Sequence, residues 1–273
     1  MDVDATLECL ARDPATECDL AELALYLARD EFPDLDVTTY LAEIDDYADR
    51  LRPKLRGSLT KKVATLSKLL FVEEKYRGNR ERYYDPDNSY LNRVIDRRLG
   101  LPITLSLLAA AVGTRAGLAV AGVGLPGHFI ARAADGEDVL LFDPYHGGAP
   151  LKIADCEQLV EDATGKPFEA SAEALEPTPP GYAVRRMLTN LKGTYLRQND
   201  FLRTARVTRR ILQLEPTSAI ERRDLGICLA RTGRPGEAID LLESYLISSP
   251  SLNVAESIRK LLRHAQAEVA RWN

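Results

Sequence analysis

Residues 101–117, LPITLSLLAAAVGTRAG, limit the possible folds of this chain more than any other stretch. Small and apolar side chains occur almost all round the helix it predicts, so the helix must be covered on every side by a domain. Pro102 suits the first helical turn, where a missing N–H costs nothing, and Gly117 marks the end. The cover follows directly: LAVAGVGL, HFIARA and DVLLFDP read as strands, with Asp-Gly in a tight connection between the last two. A buried helix leading into a small antiparallel sheet predicts an α+β domain.

Upstream, three helices are predicted. CDLAELALYLARDEF places Leu20, Leu23, Ala24 and Leu27 on one face and ends at Phe32-Pro33. VTTYLAEIDDYADRLRPKL aligns Tyr40, Leu41, Ile44, Tyr47 and Leu51, stopping near Pro53. LTKKVATLSKLLFVEEKY turns Val63, Leu66, Leu69 and Leu70 inward, with Gly78 just past its end. A short helix, YLNRVIDRRLG, follows the turn-rich YYDPDNS; Ser89 or Asn88 is the expected cap and Gly100 the terminator.

Downstream, SAEALEPTPPGY breaks both helix and strand with three prolines and a glycine, and reads as a linker. Beyond it Gly193 recurs as Gly226 and Ala205 as Ala238, each 33 positions on, and Pro216 recurs as Pro250 after 34. Small residues at fixed places let the two helices of a hairpin approach, a pattern that resembles the tetratricopeptide repeat. The expected organisation is a helical region over 1–80, an α+β core over 81–175, a Pro-rich linker over 176–182 and repeat hairpins over 183–273.

Composition narrows the function classes. Formal net charge is −5, from 36 basic and 41 acidic residues, so a global basic stripe for nucleic acid is lacking. The Arg-rich 184–210 segment would spread its charges over more than one helix face. No apolar run approaches the roughly 18 residues of a membrane span. The N-terminal residues lack the basic flank and apolar core of a signal peptide, so a cytoplasmic protein is expected. Cys9, Cys18, Cys156 and Cys228 are scattered without CxxC spacing, which supports neither zinc nor redox motifs.

The chemistry-bearing residues cluster around the sheet. His128 opens one strand and Asp143 closes the next, 15 positions later, and antiparallel pairing can bring them together. A carboxylate beside an imidazole fixes its tautomer and raises its basicity, as in a nucleophile–base–orienter arrangement. A hydrogen-bonded structural histidine and a turn-initiating Asp-Pro are the plainer alternatives.

The string YYDPDNSYLNRVIDRRLGLPITLSLL, then LPGHFIAR and LFDPYHGG, resembles the bacterial SirB-type family, a transglutaminase-like core with C-terminal tetratricopeptide repeats. The resemblance runs from about residue 60 onward and implies a fold related to papain-like proteases. In that superfamily a cysteine begins the buried helix, and histidine and aspartate follow on strands; the resemblance implies His128 as base and Asp143 as orienter.

The nucleophile does not carry over. Counting back from Gly117 reaches Leu101, Pro102, Ile103 and Thr104, with no thiol among them. Thr104 or Ser106 offers a hydroxyl, although a helix terminus alone does not ionise one. Cys156 in ADCEQLVED is a second candidate if Asp155 caps a helix there, since helix N-termini acidify thiols; a small buried hydrophobe is the alternative. Asn88, Asn92 and Arg93 are candidate binding residues of the cleft, with turn chemistry as the competing role. His146 joins them as a loop residue; with His128 and Asp143 it could converge on a metal ion, but a site needs three or four ligands and a supporting shell, and no metal or other cofactor is expected. The resulting expectation is a non-catalytic transglutaminase-like protein that binds a protein or peptide partner through its repeats. The rival is a cysteine- or hydroxyl-dependent hydrolase or acyltransferase acting on peptide or amide bonds.

Overall fold

A computed structural model describes residues 1–248 and 251–271. It divides into two compact units, one of Met1–Val3 with Pro14–Met187 and one of Asp4–Asp13 with Leu188–Asn273. The first helix, α1 (Val3–Arg12), therefore lies almost wholly in the second unit.

The first unit opens with α2 (Leu20–Ala28), α3 (Val37–Leu51) and α4 (Leu59–Ser67). Asp19 caps α2 by accepting from the Ala21 and Glu22 amides, and Asp36 caps α3 through Thr38, satisfying N–H groups that no carbonyl can reach. Leu23, Leu25, Ile44, Leu51 and Leu66 are fully buried. Two of the ends of these three helices differ from expectation. α2 stops at Ala28, and turn hydrogen bonds such as Phe32 N to Ala28 O carry the chain to Pro33. The third predicted helix splits into α4 and a π-helical turn over Lys68–Glu73, closed by Lys75 in the left-handed region at φ 61°.

Gly78 is consequently part of a strand, β1 (Arg77–Gly78), rather than a helix terminator. Asp85 caps a 3-10 turn over Pro86–Asn88, and α5 (Leu91–Arg97) then starts from Tyr90, not from Ser89 or Asn88. Arg98, at φ 58°, ends α5 before Gly100 is reached. Gly100 instead belongs to β2 (Leu99–Gly100), which pairs in parallel with β1.

The predicted central helix is α6 (Pro102–Ala116), with Pro102 in its first turn and ten of its fifteen residues buried. It packs on an antiparallel sheet of β3 (Ala119–Leu125), β4 (His128–Asp135), β5 (Asp138–Asp143) and β6 (Ala149–Leu151), in that order. Pro126-Gly127 joins β3 to β4, Gly127 taking φ 71° as the second central residue of a type II turn requires. Gly136 opens the two-residue turn into β5 at φ 64°. On the other face of the sheet, α7 (Ile153–Thr164) closes an apolar cluster of Val123, Leu125, Ile130, Leu141, Cys156, Val160 and Leu175. The Pro-rich segment is pinned to the outer strand: the Thr178 amide donates to Gly122 O at 2.8 Å and the Gly124 amide to Thr178 Oγ1 at 2.7 Å. That contact covers part of an edge that would otherwise stay unpaired.

Helix α8 (Pro180–Arg197) contains the boundary between the units, and α9 (Phe201–Leu214), α10 (Ala219–Arg231), α11 (Pro235–Ile247) and α12 (Leu252–Ala270) complete the second. Ala205, Leu225, Cys228, Ala238 and Leu242 form its core. The repeat-marking Pro250 lies outside the described residues. Within this unit Lys192 is buried and bonded to Glu221 at 2.6 Å and Asp224 at 2.7 Å. The architecture is α+β with C-terminal helical hairpins, as the sequence implies, and no described helix is long and apolar enough to cross a membrane.

Candidate functional site

The turn at Pro126-Gly127 delivers His128 to the first position of β4, while β5 ends at Asp143. Pairing of Ala131 with Phe142 and of Arg132 with Leu141 sets the register. Because side chains alternate along a strand, His128, Ile130, Leu141 and Asp143 then share the face that α7 covers. His128 Nε2 lies 2.8 Å from Asp143 Oδ2, with His128 7 % exposed and Asp143 1 %.

A second imidazole reaches the same oxygen. Pro144–His146 form a 3-10 turn that Asp143 caps, its Oδ1 accepting from the Tyr145 amide at 2.8 Å. This turn brings His146 Nδ1 to 2.7 Å from Asp143 Oδ2. The rings of His128 and His146 stack at 5.8 Å and 24°, and Tyr145 meets both edge to face. Burial pushes the Asp143 carboxyl up, but its hydrogen bonds to His128 and His146 and the electrostatic attraction of those rings outweigh that and hold it below the usual carboxylate range.

Tyr145 and Tyr83 form an aromatic wall, with ring centroids 6.4 Å apart. A Cβ on Gly78 would lie 2.4 Å from the Tyr145 ring, so the glycine is required for this close approach. Sequence reasoning passed over Tyr145 and read Gly78 only as the end of a helix; the one signal was that Tyr145 stands between two residues already singled out.

The candidate nucleophiles are placed elsewhere. Thr104 Oγ1 accepts from the Leu101 amide at 2.9 Å and lies 2.9 Å from Asn88 O, where it donates, so the hydroxyl ties the α6 N-terminus to the preceding loop. Ser106 Oγ donates to Phe129 O. Helix α7 begins at Ile153, with Lys152 rather than Asp155 in the cap position, so Cys156 falls beyond the first turn. The Cys156 thiol is fully buried in the apolar cluster and makes no hydrogen bond to His128. Burial, then the charges of Asp155, Asp143 and Glu157, push its pKa up to about 11, opposite to the shift that activates a thiol.

The expected binding residues divide. Asn88 turns its amide into the loop, donating to Arg82 O at 2.8 Å and Tyr83 O at 3.1 Å and accepting from Asn79 at 3.0 Å. Arg93 pairs with Asp87 and Asp96. Asn92 is buried with its Oδ1 unpartnered. No hydrogen bond, ion pair or ring contact joins these three to His128 among the described residues; His146 alone reaches it. On the far side of the sheet, α6, β3 and the start of α8 surround an apolar cavity of about 470 Å³ that none of the candidate residues lines.

Known proteins place this geometry in context. Residues 38–189 match the transglutaminase-like superfamily and residues 191–263 match a tetratricopeptide repeat family. A UPF0162 protein of Xylella fastidiosa is 36% identical over 88% of this chain and 87% of its own length. The UPF0162 protein PA3419 of Pseudomonas aeruginosa is 27% identical over 80% of this chain and 78% of its own. The human F-box only protein 21 shares 32% identity over 34% of this chain, within 16% of its own length. With the family matching more than half of the chain and a relative of this identity spanning most of it, the chain belongs to the transglutaminase-like superfamily, among the UPF0162 proteins, and carries tetratricopeptide repeats behind the core.

Proposed function

We propose that this protein is a transglutaminase-like member without acyl-transfer chemistry, which binds a protein or peptide partner through its repeat helices in the cytoplasm. The observation that carries this reading is the separation of the base from any attacking group. His128 is oriented by Asp143, yet Cys156 is protonated inside an apolar cluster and Thr104 is committed to the backbone. Four free thiols accord with a reducing compartment. Leu202, Ile220, Ile247 and Leu252 of the second unit are each more than half exposed, apolar side chains that a partner bound to the repeat helices would cover.

A thiol-directed electrophile tests the reading on the intact chain. Slow labelling of Cys156, unchanged in His128→Ala, is the expected result. Rapid labelling that slows in both His128→Ala and Cys156→Ala would establish the rival hydrolase or acyltransferase. The repeat assignment is tested separately with Leu202→Asp and Ile220→Asp, which should abolish capture of a partner while leaving the far-UV circular dichroism unchanged. Removing residues from 182 onward is a poorer test, because Val184 and Met187 of α8 are buried in the first unit.

A further inference from the structure

The arrangement at the end of β5 contains one imidazole more than a base and its orienter need. A carboxylate that fixes the tautomer of His128 requires a single ring; here the stacked His146 also brings its Nδ1 to the same Asp143 oxygen. Three donor atoms, His128 Nε2, Asp143 Oδ2 and His146 Nδ1, lie within 4.8 Å of one another. Two neutral imidazoles and an ionised carboxylate form a borderline ligand set with one negative charge. It suits a divalent first-row transition ion and not Mg²⁺ or Ca²⁺, which take oxygen shells.

We propose that His128, Asp143 and His146 bind one divalent transition-metal ion of the Zn²⁺ type, leaving a coordination position open to water or to a donor atom of a ligand. Metal–nitrogen and metal–oxygen bonds of about 2.0–2.2 Å in tetrahedral geometry separate neighbouring donors by about 3.3 Å. The present contacts of 2.7 and 2.8 Å therefore need to open by about half an ångström for the ion to enter. His146 can supply that movement by a side-chain rotation, because its side chain is 37 % exposed. Asp143 is held for the task, since its other oxygen accepts from the Tyr145 amide at 2.8 Å and lies 3.4 Å from that of His146. Such outer hydrogen bonds orient a metal-binding carboxylate. With His128 and Asp143 buried, the exposed His146 edge is the side on which the open position faces solvent. The inference does not depend on the repeat helices or on whether a partner binds them.

The test is a titration of the chelator-treated full chain with Zn²⁺ by calorimetry, and with Co²⁺ by visible absorption. One ion per chain is expected, with the Co²⁺ spectrum of a low-coordinate nitrogen–oxygen site. His146→Ala, half-exposed and so safe for folding, should weaken Zn²⁺ binding by about 100-fold or more and abolish that spectrum. His128→Gln should do the same, whereas His264→Ala should leave both unchanged. Absence of saturable binding, or equal affinity in wild type and a correctly folded His146→Ala variant, overturns the proposal.

Discussion

The thiol of Cys156 is raised to about 11 first by burial and then by Asp155, Asp143 and Glu157. Its pKa in an unfolded chain is 9.0, so the folded state holds the proton more tightly. The stabilisation this represents is complete below pH 9 and is lost as pH climbs through 9 toward 11, where unfolding lets the thiol ionise freely. A displacement from 9.0 to about 11 is worth about 3 kcal/mol. Urea unfolding should accordingly show wild type losing up to that amount relative to Cys156→Ala between pH 8 and about pH 11. A constant difference across that range would mean that the thiol is wet in the folded protein. The same scale shows what was legible in the sequence. His128 and Asp143 could be paired on paper because 15 residues and a tight turn separate them. His146 was read as a loop residue because Gly-Gly follows it, although those glycines leave its turn free to close on Asp143. Tyr145 against Gly78 was invisible, since the contact joins the end of β5 to a two-residue strand far earlier in the chain.

Among the elements, the repeat helices show why a recurring letter need not have a recurring role. Gly226 of α10 faces α11 so closely that an added Cβ would lie 2.8 Å from Leu242 Cδ2 and 3.3 Å from Leu241 Cβ. At Gly193 of α8 the same atom would meet only the Arg197 guanidinium at 3.4 Å. Gly226→Ala should therefore destabilise by about 1–3 kcal/mol through overpacking. Gly193→Ala should be neutral or stabilise by up to about 1 kcal/mol, because alanine orders a helix better than glycine. Thermal or urea unfolding of the two variants distinguishes the positions; equal losses would show that both helices pack alike. Lys192, one residue before Gly193, adds an ionic bond that periodicity does not reveal. Its ammonium is buried with Glu221 and Asp224, so Lys192→Met, which strands Glu221 while Asp224 keeps Arg223, should cost about 3–5 kcal/mol. Adding Glu221→Gln to the same chain should restore much of that loss, since the penalty belongs to the uncompensated carboxylate and not to the missing ammonium. Hydrophobic spacing identified the helices correctly where they were long, as in α3 and α6. It misplaced ends where local backbone chemistry decided, as at the π-helical turn before Lys75 and the left-handed Arg98.

For the whole molecule, the least local feature is α1. Sequence reasoning grouped it with the helices that follow, because nothing within ten residues says which distant segment it will join. In the structure Asp4–Asp13 belong to the compact unit of Leu188–Asn273. Asp4 accepts from Arg210 at 2.6 Å and from Gln213 at 3.0 Å, and Leu7 and Leu10 are fully buried. The two interactions differ in weight. An exposed ion pair such as Asp4–Arg210 is worth about 0–1 kcal/mol, whereas truncating a buried leucine removes transfer energy and leaves a cavity, about 2–5 kcal/mol in all. Asp4→Ala should thus be nearly silent and Leu10→Ala severe. Amide hydrogen exchange locates the damage: in Leu10→Ala, protection should fall across α9–α12 while β3–β5 and α6 exchange as in wild type. Loss of protection in the sheet instead would mean that α1 supports the transglutaminase-like core. The expected pattern would make the chain's first helix part of its last domain, so that trimming the N-terminus weakens the repeat helices some 200 residues away.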